Sequence, residues 1–140
     1  LERFAARADE LGVTAHVWRL GALESEHLER LFRAADAFAF PSVKEGFGLA
    51  VLEAIASGLP LVASDLDVFR AFLTDGESAL LTPVGDADAL ARALARVKHD
   101  AALRARLRAG GRDVVAAYTW DASAELHERV YERIGVAGWR

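Results

Sequence analysis

The sequence predicts an α/β fold in which a parallel sheet is covered by helices on both faces. Short apolar segments alternate with segments of helical periodicity along the first hundred residues, and helices dominate the last third. Glycine or proline separates many of these segments from the next one. Such alternation is typical of βα units, whose strands run parallel. The predicted architecture is therefore a doubly wound parallel sheet followed by C-terminal helices.

Seven segments carry apolar side chains at helical spacing. In chain order, these predicted helices are residues 1–11, 25–35, 49–57, 68–73, 87–98, 101–118 and 120–134. Gly12 stops the first of them, Gly58 ends the third, and Asp86 caps the fifth. Gly110 and Gly111 fall inside the sixth, where they are expected to loosen the helix.

Four shorter apolar segments end at turn residues and are predicted to be strands. In chain order, they are residues 13–20, 37–40, 61–63 and 79–81. The first alternates loosely through Val13, Ala15 and Val17 and ends at Gly21, and the second is stopped by Pro41.

The composition limits the classes of function. The chain has 140 residues, enough for one domain with a core, and at a net charge of −4 it has no basic stripe for nucleic acid. It contains no cysteine, and its four histidines are scattered without metal-ligand spacing. No apolar run approaches the roughly 20 residues that span a bilayer, and no signal peptide is visible. We therefore expect a cytoplasmic protein with neither a metal nor another cofactor.

One loop carries the most functional information. It contains Glu45, Gly46 and Gly48 and leads directly into the third predicted helix. Because the first N–H groups of a helix lack partners and carry partial positive charge, such a turn can hold a phosphate. The loop also follows a predicted strand, and ligands of open α/β sheets bind at that edge.

The third predicted helix is apolar on all sides except for Glu53, so we expect it to be buried. A buried carboxylate needs donors, and no lysine or arginine lies within a turn of Glu53. Glu53 lies one turn after Leu49 on the same face, where a ribose diol can donate two hydrogen bonds to it. Spacing alone leaves open that Glu53 simply faces solvent.

Glu45 lies just outside the start of this helix. Its carboxylate can accept hydrogen bonds from sugar hydroxyls there, or face positive charge that develops on a reacting sugar carbon. Gly46 and Gly48 leave room for the backbone to approach a ligand, and Phe47 between them is expected to pack inward and brace the loop. Spacing alone leaves open that Glu45 is an ordinary loop charge or a helix-capping carboxylate.

Residues 41–60, P-S-V-K-E-G-F-G-L-A-V-L-E-A-I-A-S-G-L-P, resemble the donor-binding segment of retaining GT-B glycosyltransferases of the GT4 type. These enzymes transfer sugars from nucleotide-diphosphate donors. Further segments resemble the family pattern and extend the resemblance over essentially the whole chain. They are V-W-R-L-G at residues 17–21, A-A-D-A-F at 34–38, L-V-A-S-D at 61–65, D-G-E at 75–77, P-V-G-D at 83–86, and Trp120. The resemblance implies the Rossmann-like C-terminal domain of a retaining hexosyltransferase.

By position, the resemblance implies a role for each residue of this segment. Glu45 would be the catalytic residue, in contact with the donor sugar near its reacting face. The implied donor-binding residues are Gly46, Phe47, Gly48, Leu49, Ala50 and Glu53. Of these, Glu53 would hold the ribose. The implied residues near the base are Leu20, Gly21 and Ala22. The last helix would pack back toward the N-terminal domain.

The chain departs from the family pattern in two ways. After S-D the family often has glycines or proline and then a glutamate, whereas this chain has Asp67, Arg70 and Ala71. Ala79 also replaces a common glycine. The role of the loop after Asp65 is therefore left open.

The family's domain opens with two further strand–helix units, which carry an arginine and a lysine for the diphosphate, and Leu1 begins after them. The chain also has no methionine. We therefore expect residues 1–140 to be a partial domain of a larger two-domain protein. The missing strands would separate the first two strands predicted here, so the chain is expected neither to fold stably alone nor to be active. Its expected partners are a nucleotide-diphosphate sugar and the missing N-terminal domain, in the cytoplasm or peripherally at the inner membrane face.

Two other functions compete with this interpretation. A nucleotide-binding or scaffold module can keep the same fold without turnover, although the presence of both Glu45 and Glu53 argues against it. A dehydrogenase is disfavoured because no G-x-G-x-x-G follows any predicted strand.

Overall fold

The computed structural model describes residues 2–135, which form three parallel strands and seven α-helices. In chain order these are α1 (Glu2–Glu10), α2 (Ser25–Ala34), β1 (Phe38–Phe40), α3 (Leu49–Ala56), β2 (Leu61–Ser64), α4 (Asp67–Arg70), β3 (Leu80–Thr82), α5 (Ala87–His99), α6 (Ala101–Ala117) and α7 (Trp120–Arg133). All seven predicted helices are confirmed with ends that differ by a few residues, and Leu1 lies outside the described residues. Within residues 2–135, no helix is both long enough and apolar enough to cross a membrane.

The strands pair in the order β1-β2-β3, and both pairs are parallel. In the register, Phe38 lies opposite Leu61, and Val62 lies opposite Leu80. α3 is the crossover between β1 and β2 that parallel neighbours require. β2 is central and fully buried, and the outer edge of β1 pairs with no strand among residues 2–135. The predicted parallel sheet and three of its four predicted strands are confirmed.

The predicted strand at residues 13–20 is wrong. Thr14–His16 form a 3-10 turn, and residues 17–20 are exposed and belong to no strand. A strand needs a neighbour that pairs with its backbone N–H and C=O groups. In the described part of the chain, no strand lies beside this segment to pair with its backbone. Its loose alternation of apolar residues is therefore not enough to make it a strand.

Helices cover both faces of the sheet, and the buried hydrophobic residues of the described chain form three clusters, the smallest of which comprises Phe32, Ala54 and Leu59. The first core comprises Val51, Ile55, Leu61, Ala63, Phe69, Leu73 and Ala79. The second comprises Val62, Leu80, Ala93, Val97, Leu103 and Leu107. The neighbours Leu61 and Val62 belong to different cores because successive side chains of a strand point to opposite faces.

Gly110 and Gly111 allow α6 to approach its neighbours closely. A Cβ on Gly110 would lie 2.6 Å from the carbonyl oxygen of Glu77, and a Cβ on Gly111 would lie 2.5 Å from Cγ2 of Ile55. α6 runs through both glycines without a break. The expectation that they loosen this helix is therefore wrong, because close packing against α3 and the turn before β3 holds it in place.

The last three helices begin with a side-chain cap, and α3 does not. Asp86, Asp100 and Thr119 each accept a hydrogen bond from a backbone N–H in the first turn, at 2.8, 2.8 and 3.1 Å. The cap predicted at Asp86 is confirmed. Gly48, the residue directly before α3, has no side chain with which to cap the helix, so its first N–H groups remain open to another acceptor.

Candidate functional site

The loop at residues 41–48 joins β1 to α3 at the carboxyl edge of the sheet. Gly48 ends the loop with a φ of 89°, a conformation that glycine adopts far more readily than other residues. Within residues 2–135, no acceptor pairs with the N–H groups of Leu49 and Ala50. The start of α3 therefore presents unpaired N–H groups and the partial positive charge of the helix at the edge where ligands bind in such sheets.

Phe69 of α4 lies directly against Gly48. The phenyl ring is fully buried, and a Cβ on Gly48 would lie 2.6 Å from its Cε1 atom. Position 48 therefore requires glycine both for its backbone conformation and for the space that the ring occupies. This contact could not be predicted from the sequence, because a phenylalanine in a short amphipathic helix is expected to face the core in any case.

Glu45 is half-buried in the loop, and Ser42 holds its carboxylate. Oγ of Ser42 lies 2.8 Å from Oε1 of Glu45 and 3.0 Å from the carbonyl oxygen of Lys44, so the hydroxyl can donate to either. The other lone pairs of the Glu45 carboxylate remain available to accept hydrogen bonds from a ligand. Ser42 had no role of its own in the sequence-based predictions, and the only signal for this contact is that the serine stands three residues before Glu45 in the same loop.

Phe47 braces the loop through aromatic contacts, as expected, but it is not fully buried. Its ring centroid lies 5.8 Å from that of Phe72 and 5.9 Å from that of Tyr118, and 41% of the residue is exposed. Phe72 follows α4, and Tyr118 ends α6. Two elements distant in sequence therefore help to hold the loop in place.

Glu53 is exposed, and the expectation that α3 is buried on all sides is wrong for one face. The exposed face runs through Leu49, which is 66% exposed, then Glu53 and Ala56. The buried residues of this helix are Val51, Ala54 and Ile55. No element among residues 2–135 covers this exposed face. The Glu53 carboxylate can therefore be solvated by water and does not require a hydrogen-bond donor from the protein. Because helical side chains lean toward the N-terminus, Glu53 lies over the turn that begins at Leu49, and its ribose role stays a prediction.

Asp65 follows β2 at the same edge of the sheet and forms a bidentate ion pair with Arg70. Nε of Arg70 lies 2.5 Å from Oδ1 of Asp65, and Nη2 donates to Oδ2. The hydrogen bonds from Arg70 hold the pKa of Asp65 below its ordinary value, and the same bonds raise the pKa of Arg70. The loop after Asp65, whose role the sequence left open, is therefore bridged by the Asp65–Arg70 ion pair.

Leu20, Gly21 and Ala22 lie in the exposed stretch before α2. Their proposed position near the base stays a prediction. In the part of the chain that the structure describes, no three or more histidine, aspartate or glutamate side chains are grouped so that they could hold a metal ion.

The chain matches one protein family and is similar to several known proteins. The family described as glycosyl transferases group 1 matches residues 1–114. The chain is 39% identical over 133 residues to the phosphatidyl-myo-inositol mannosyltransferase of Mycobacterium leprae (strain TN), covering 94% of this chain and 36% of that protein. The structure of sucrose-phosphate synthase from Thermosynechococcus elongatus matches with a TM-score of 0.86 and 32% identity, over 98% of this chain and 35% of that one.

A third match extends the likeness in fold. The structure of Anabaena Alr3699/HepE in complex with UDP and glucose has a TM-score of 0.84 at 21% identity, over 94% of this chain and 36% of that one. The chain thus spans about a third of the length of each of these proteins. The family match includes the loop at residues 41–48, all three strands and the helices that cover them. The chain belongs to the group 1 glycosyl transferases, and it has the Rossmann-like α/β fold of their GT-B members.

Proposed function

We propose that this chain is the donor-binding part of a glycosyltransferase that moves a hexose from a nucleotide-diphosphate sugar to an acceptor with retention of configuration. In this proposal it forms part of the C-terminal domain of a longer two-domain protein. The observation that carries the proposal is the start of α3, where the N–H groups of Leu49 and Ala50 are unpaired and no side chain caps the helix. Such a helix start favours a diphosphate through hydrogen bonds and through the helix dipole.

Each residue of the site has a proposed role in this reaction. The backbone of residues 46–50 holds the sugar and the diphosphate, and Glu53 accepts hydrogen bonds from the ribose. Glu45, oriented by Ser42, faces the sugar carbon as its bond to the diphosphate oxygen breaks and its bond to the acceptor oxygen forms. The nucleoside diphosphate leaves with the electron pair of the broken bond, stabilised by the start of α3 and by cations outside this chain. Its departing oxygen takes up the proton that the acceptor hydroxyl loses as it bonds to the sugar carbon.

The relatives support a hexose as the transferred sugar. The Mycobacterium leprae relative is named as a mannosyltransferase, so mannose is the first donor sugar to test. In our proposal the acceptor binds to the N-terminal domain, which implies that the chain alone is inactive. The same relative is named for phosphatidyl-myo-inositol, a membrane lipid, which supports peripheral association with a membrane. In our proposal this association takes place in the cytoplasm, at the inner membrane face.

Calorimetric titration of the full-length protein with a panel of nucleoside diphosphates tests the binding part of this proposal. We expect one base to bind in preference to the others, and the matching sugar donor to be turned over. Glu45→Gln should reduce kcat by about 100-fold or more while leaving the nucleotide Kd near the wild-type value. Glu77→Gln, an exposed glutamate outside the loop, is the matched control and should keep wild-type kcat.

Two results would contradict the proposal in different ways. If no nucleoside diphosphate binds, the site does not hold a donor at all. If a nucleotide binds but no donor sugar is transferred or hydrolysed by the wild-type protein, the chain belongs to a non-catalytic nucleotide-binding module.

Glu53 allows a separate test of the ribose contact. Because two hydroxyl groups would donate to one carboxylate, Glu53→Gln should weaken binding of a ribonucleoside diphosphate by about tenfold or more. The same variant should bind the 2′,3′-dideoxy analogue as the wild type does, since the analogue has no hydroxyl groups to lose. Equal weakening for both nucleotides would show that Glu53 does not hold the ribose.

A further inference from the structure

The donor loop, residues 41–48, is held in place mainly by packing: within residues 2–135 its one backbone hydrogen bond to another element is that from the N–H of Val51 in α3 to the carbonyl oxygen of Gly48. Within residues 2–135, its side-chain hydrogen bonds stay inside the loop, between Ser42 and its neighbours Lys44 and Glu45. Three aromatic rings from elsewhere contact it: Phe69 contacts Gly48, and Phe72 and Tyr118 contact Phe47. The position of the loop therefore depends on its contacts with the rings of Phe69, Phe72 and Tyr118.

Two of those rings belong to α4 and the turn that follows it. Phe69 and Phe72 also contact each other, with ring centroids 6.1 Å apart in an edge-to-face arrangement. Phe69 contacts Phe40 of β1 on its other side, at 5.9 Å. A shift of α4 would therefore move the surface on which Gly48 and Phe47 rest.

α4 is too short to hold its own position. It has four residues, and its N-cap residue Leu66 provides no side-chain hydrogen bond. A single helical turn is unstable by itself in water, because forming the first turn orders several residues for few hydrogen bonds. The position of α4 must therefore come from contacts with the rest of the fold.

The Asp65–Arg70 pair provides such a contact. The backbone N–H of Asp65 donates to the carbonyl oxygen of Thr82 in β3 at 2.7 Å, so the residue that carries the carboxylate is fixed to the sheet. Arg70, the last residue of α4, donates two hydrogen bonds to that carboxylate. The planar guanidinium fits a carboxylate at two points, which restricts orientation as well as distance.

The other ion pairs of residues 2–135 have a different arrangement. Each joins side chains three or four positions apart within one helix. Their members are exposed, as Arg70 is, whereas Asp65 is partly buried. The Asp65–Arg70 pair instead joins a residue after β2 to the far end of α4. Only this pair among them links a helix to the end of a strand.

We propose that Asp65 and Arg70 are positioning residues for the donor loop. The ion pair holds α4 against the sheet, α4 holds Phe69 against Gly48, and Phe69 thereby sets the direction of the N–H groups of Leu49 and Ala50. Neither Asp65 nor Arg70 needs to touch the donor. The expected effect on donor binding rests on the function proposed above, whereas the expected effect on the loop rests on packing alone.

The test compares Asp65→Asn, Arg70→Gln and Arg70→Lys with the wild type in the full-length protein. Backbone NMR should show shifted resonances and faster amide exchange for Gly48, Leu49 and Ala50 in Asp65→Asn and Arg70→Gln. The Kd for the nucleoside diphosphate and the KM for the donor should rise by about tenfold, since small displacements of binding groups have large effects. The KM for the acceptor should not change. Arg70→Lys, which keeps the charge but offers a single point of contact, should fall between Arg70→Gln and the wild type.

Arg30→Gln is the matched control. It removes the exposed pair with Glu26 in α2, so the resonances of residues 48–50 and the donor KM should stay at wild-type values. Unchanged resonances and amide exchange at residues 48–50 in both Asp65→Asn and Arg70→Gln would overturn the positioning proposal. So would an equal rise in the KM values for donor and acceptor, which would point to a general loss of structure. A wild-type protein that binds no nucleoside diphosphate would defeat the proposed function, while the NMR comparison would still decide the positioning role.

Discussion

β1 and the segment at residues 13–20 are both predicted to be strands from their apolar residues, but only β1 belongs to the sheet. Phe38 and Phe40 of β1 lie opposite Leu61 and Ala63 in a parallel pair. In the other segment Trp18 is 76% exposed and Leu20 is 52% exposed, with no strand alongside in the described residues. Strand formation in this molecule therefore depends on a partner at the right place, because the apolar pattern alone leaves the backbone groups unpaired.

α3 repeats this contrast on a smaller scale. Val51 and Ile55 contribute to the first core, whereas Leu49 and Glu53 on the other side of the same helix are exposed. The open face of α3 carries Glu53, and the outer edge of β1 pairs with no strand among residues 2–135. Substitutions on the covered and the open sides should therefore differ in their cost.

The largest difference is expected between two identical leucine truncations. Leu61→Ala removes a fully buried side chain from β2 and should lower the free energy of unfolding by about 2–5 kcal/mol. Leu20→Ala, in the segment that is not a strand, should change it by no more than about 0.5 kcal/mol. Urea unfolding of both variants, each made in the full-length protein, measures the difference. A cost for Leu20→Ala close to that for Leu61→Ala would mean that residues 13–20 are buried in solution.

The next difference is expected between two glycines with positive φ. Gly48→Ala should lower the free energy of unfolding by about 2–3 kcal/mol, because it adds a clash with Phe69 to the backbone strain. Gly12 has a φ of 64°, but no atom lies within 4 Å of a Cβ added there. Gly12→Ala should therefore lower the free energy of unfolding by about 1 kcal/mol, from backbone strain alone. Thermal unfolding and nucleotide titration of both variants measure the comparison. Equal costs, with donor binding retained in Gly48→Ala, would show that the Phe69 contact does not constrain the loop.

The smallest difference concerns pH. Because Arg70 lowers the pKa of Asp65 in the folded state, the pair stabilises the fold at pH values above the unfolded pKa of about 3.9. That contribution is lost as the pH falls below this value through the lower folded pKa. The stability difference between the wild type and Asp65→Asn should therefore be present at pH 7 and should shrink below about pH 4.

Glu29→Gln is the control for the pH series. It removes the exposed pair with Arg33 within α2, and its free energy of unfolding should stay near that of the wild type at pH 7. If the difference between the wild type and Asp65→Asn is as large at pH 3 as at pH 7, the ion pair is not its source.

Local patterns in the sequence predicted much of the fold. The helical periodicity of α2, α5 and α6, the cap at Asp86 and the alternation of strands and helices each depend on neighbours within a few residues, so they could be recognised without tertiary information. The glycines around Phe47 indicated a loop that leads into an uncapped helix, and the structure has that loop. The family followed from the same residues.

Contacts between distant residues could not be predicted in this way. Gly110 and Gly111 look like helix breakers until α3 and the turn before β3 are placed beside them. Asp65 and Arg70 look like two surface charges until α4 brings them together, and the exposure of Glu53 follows from which face of α3 has a neighbour.

The sequence by itself determined the positions of the helices, three of the four strands, the open start of α3 and membership of the glycosyltransferase family. These properties are set by backbone preferences and side-chain spacing over short distances. The tertiary structure alone decided that residues 13–20 stay outside the sheet, that Glu53 is exposed, and that Phe69 limits position 48 to glycine. The reason is that burial, strand pairing and close packing each depend on two segments that meet in space. The sequence of one segment does not show which other segment will lie against it.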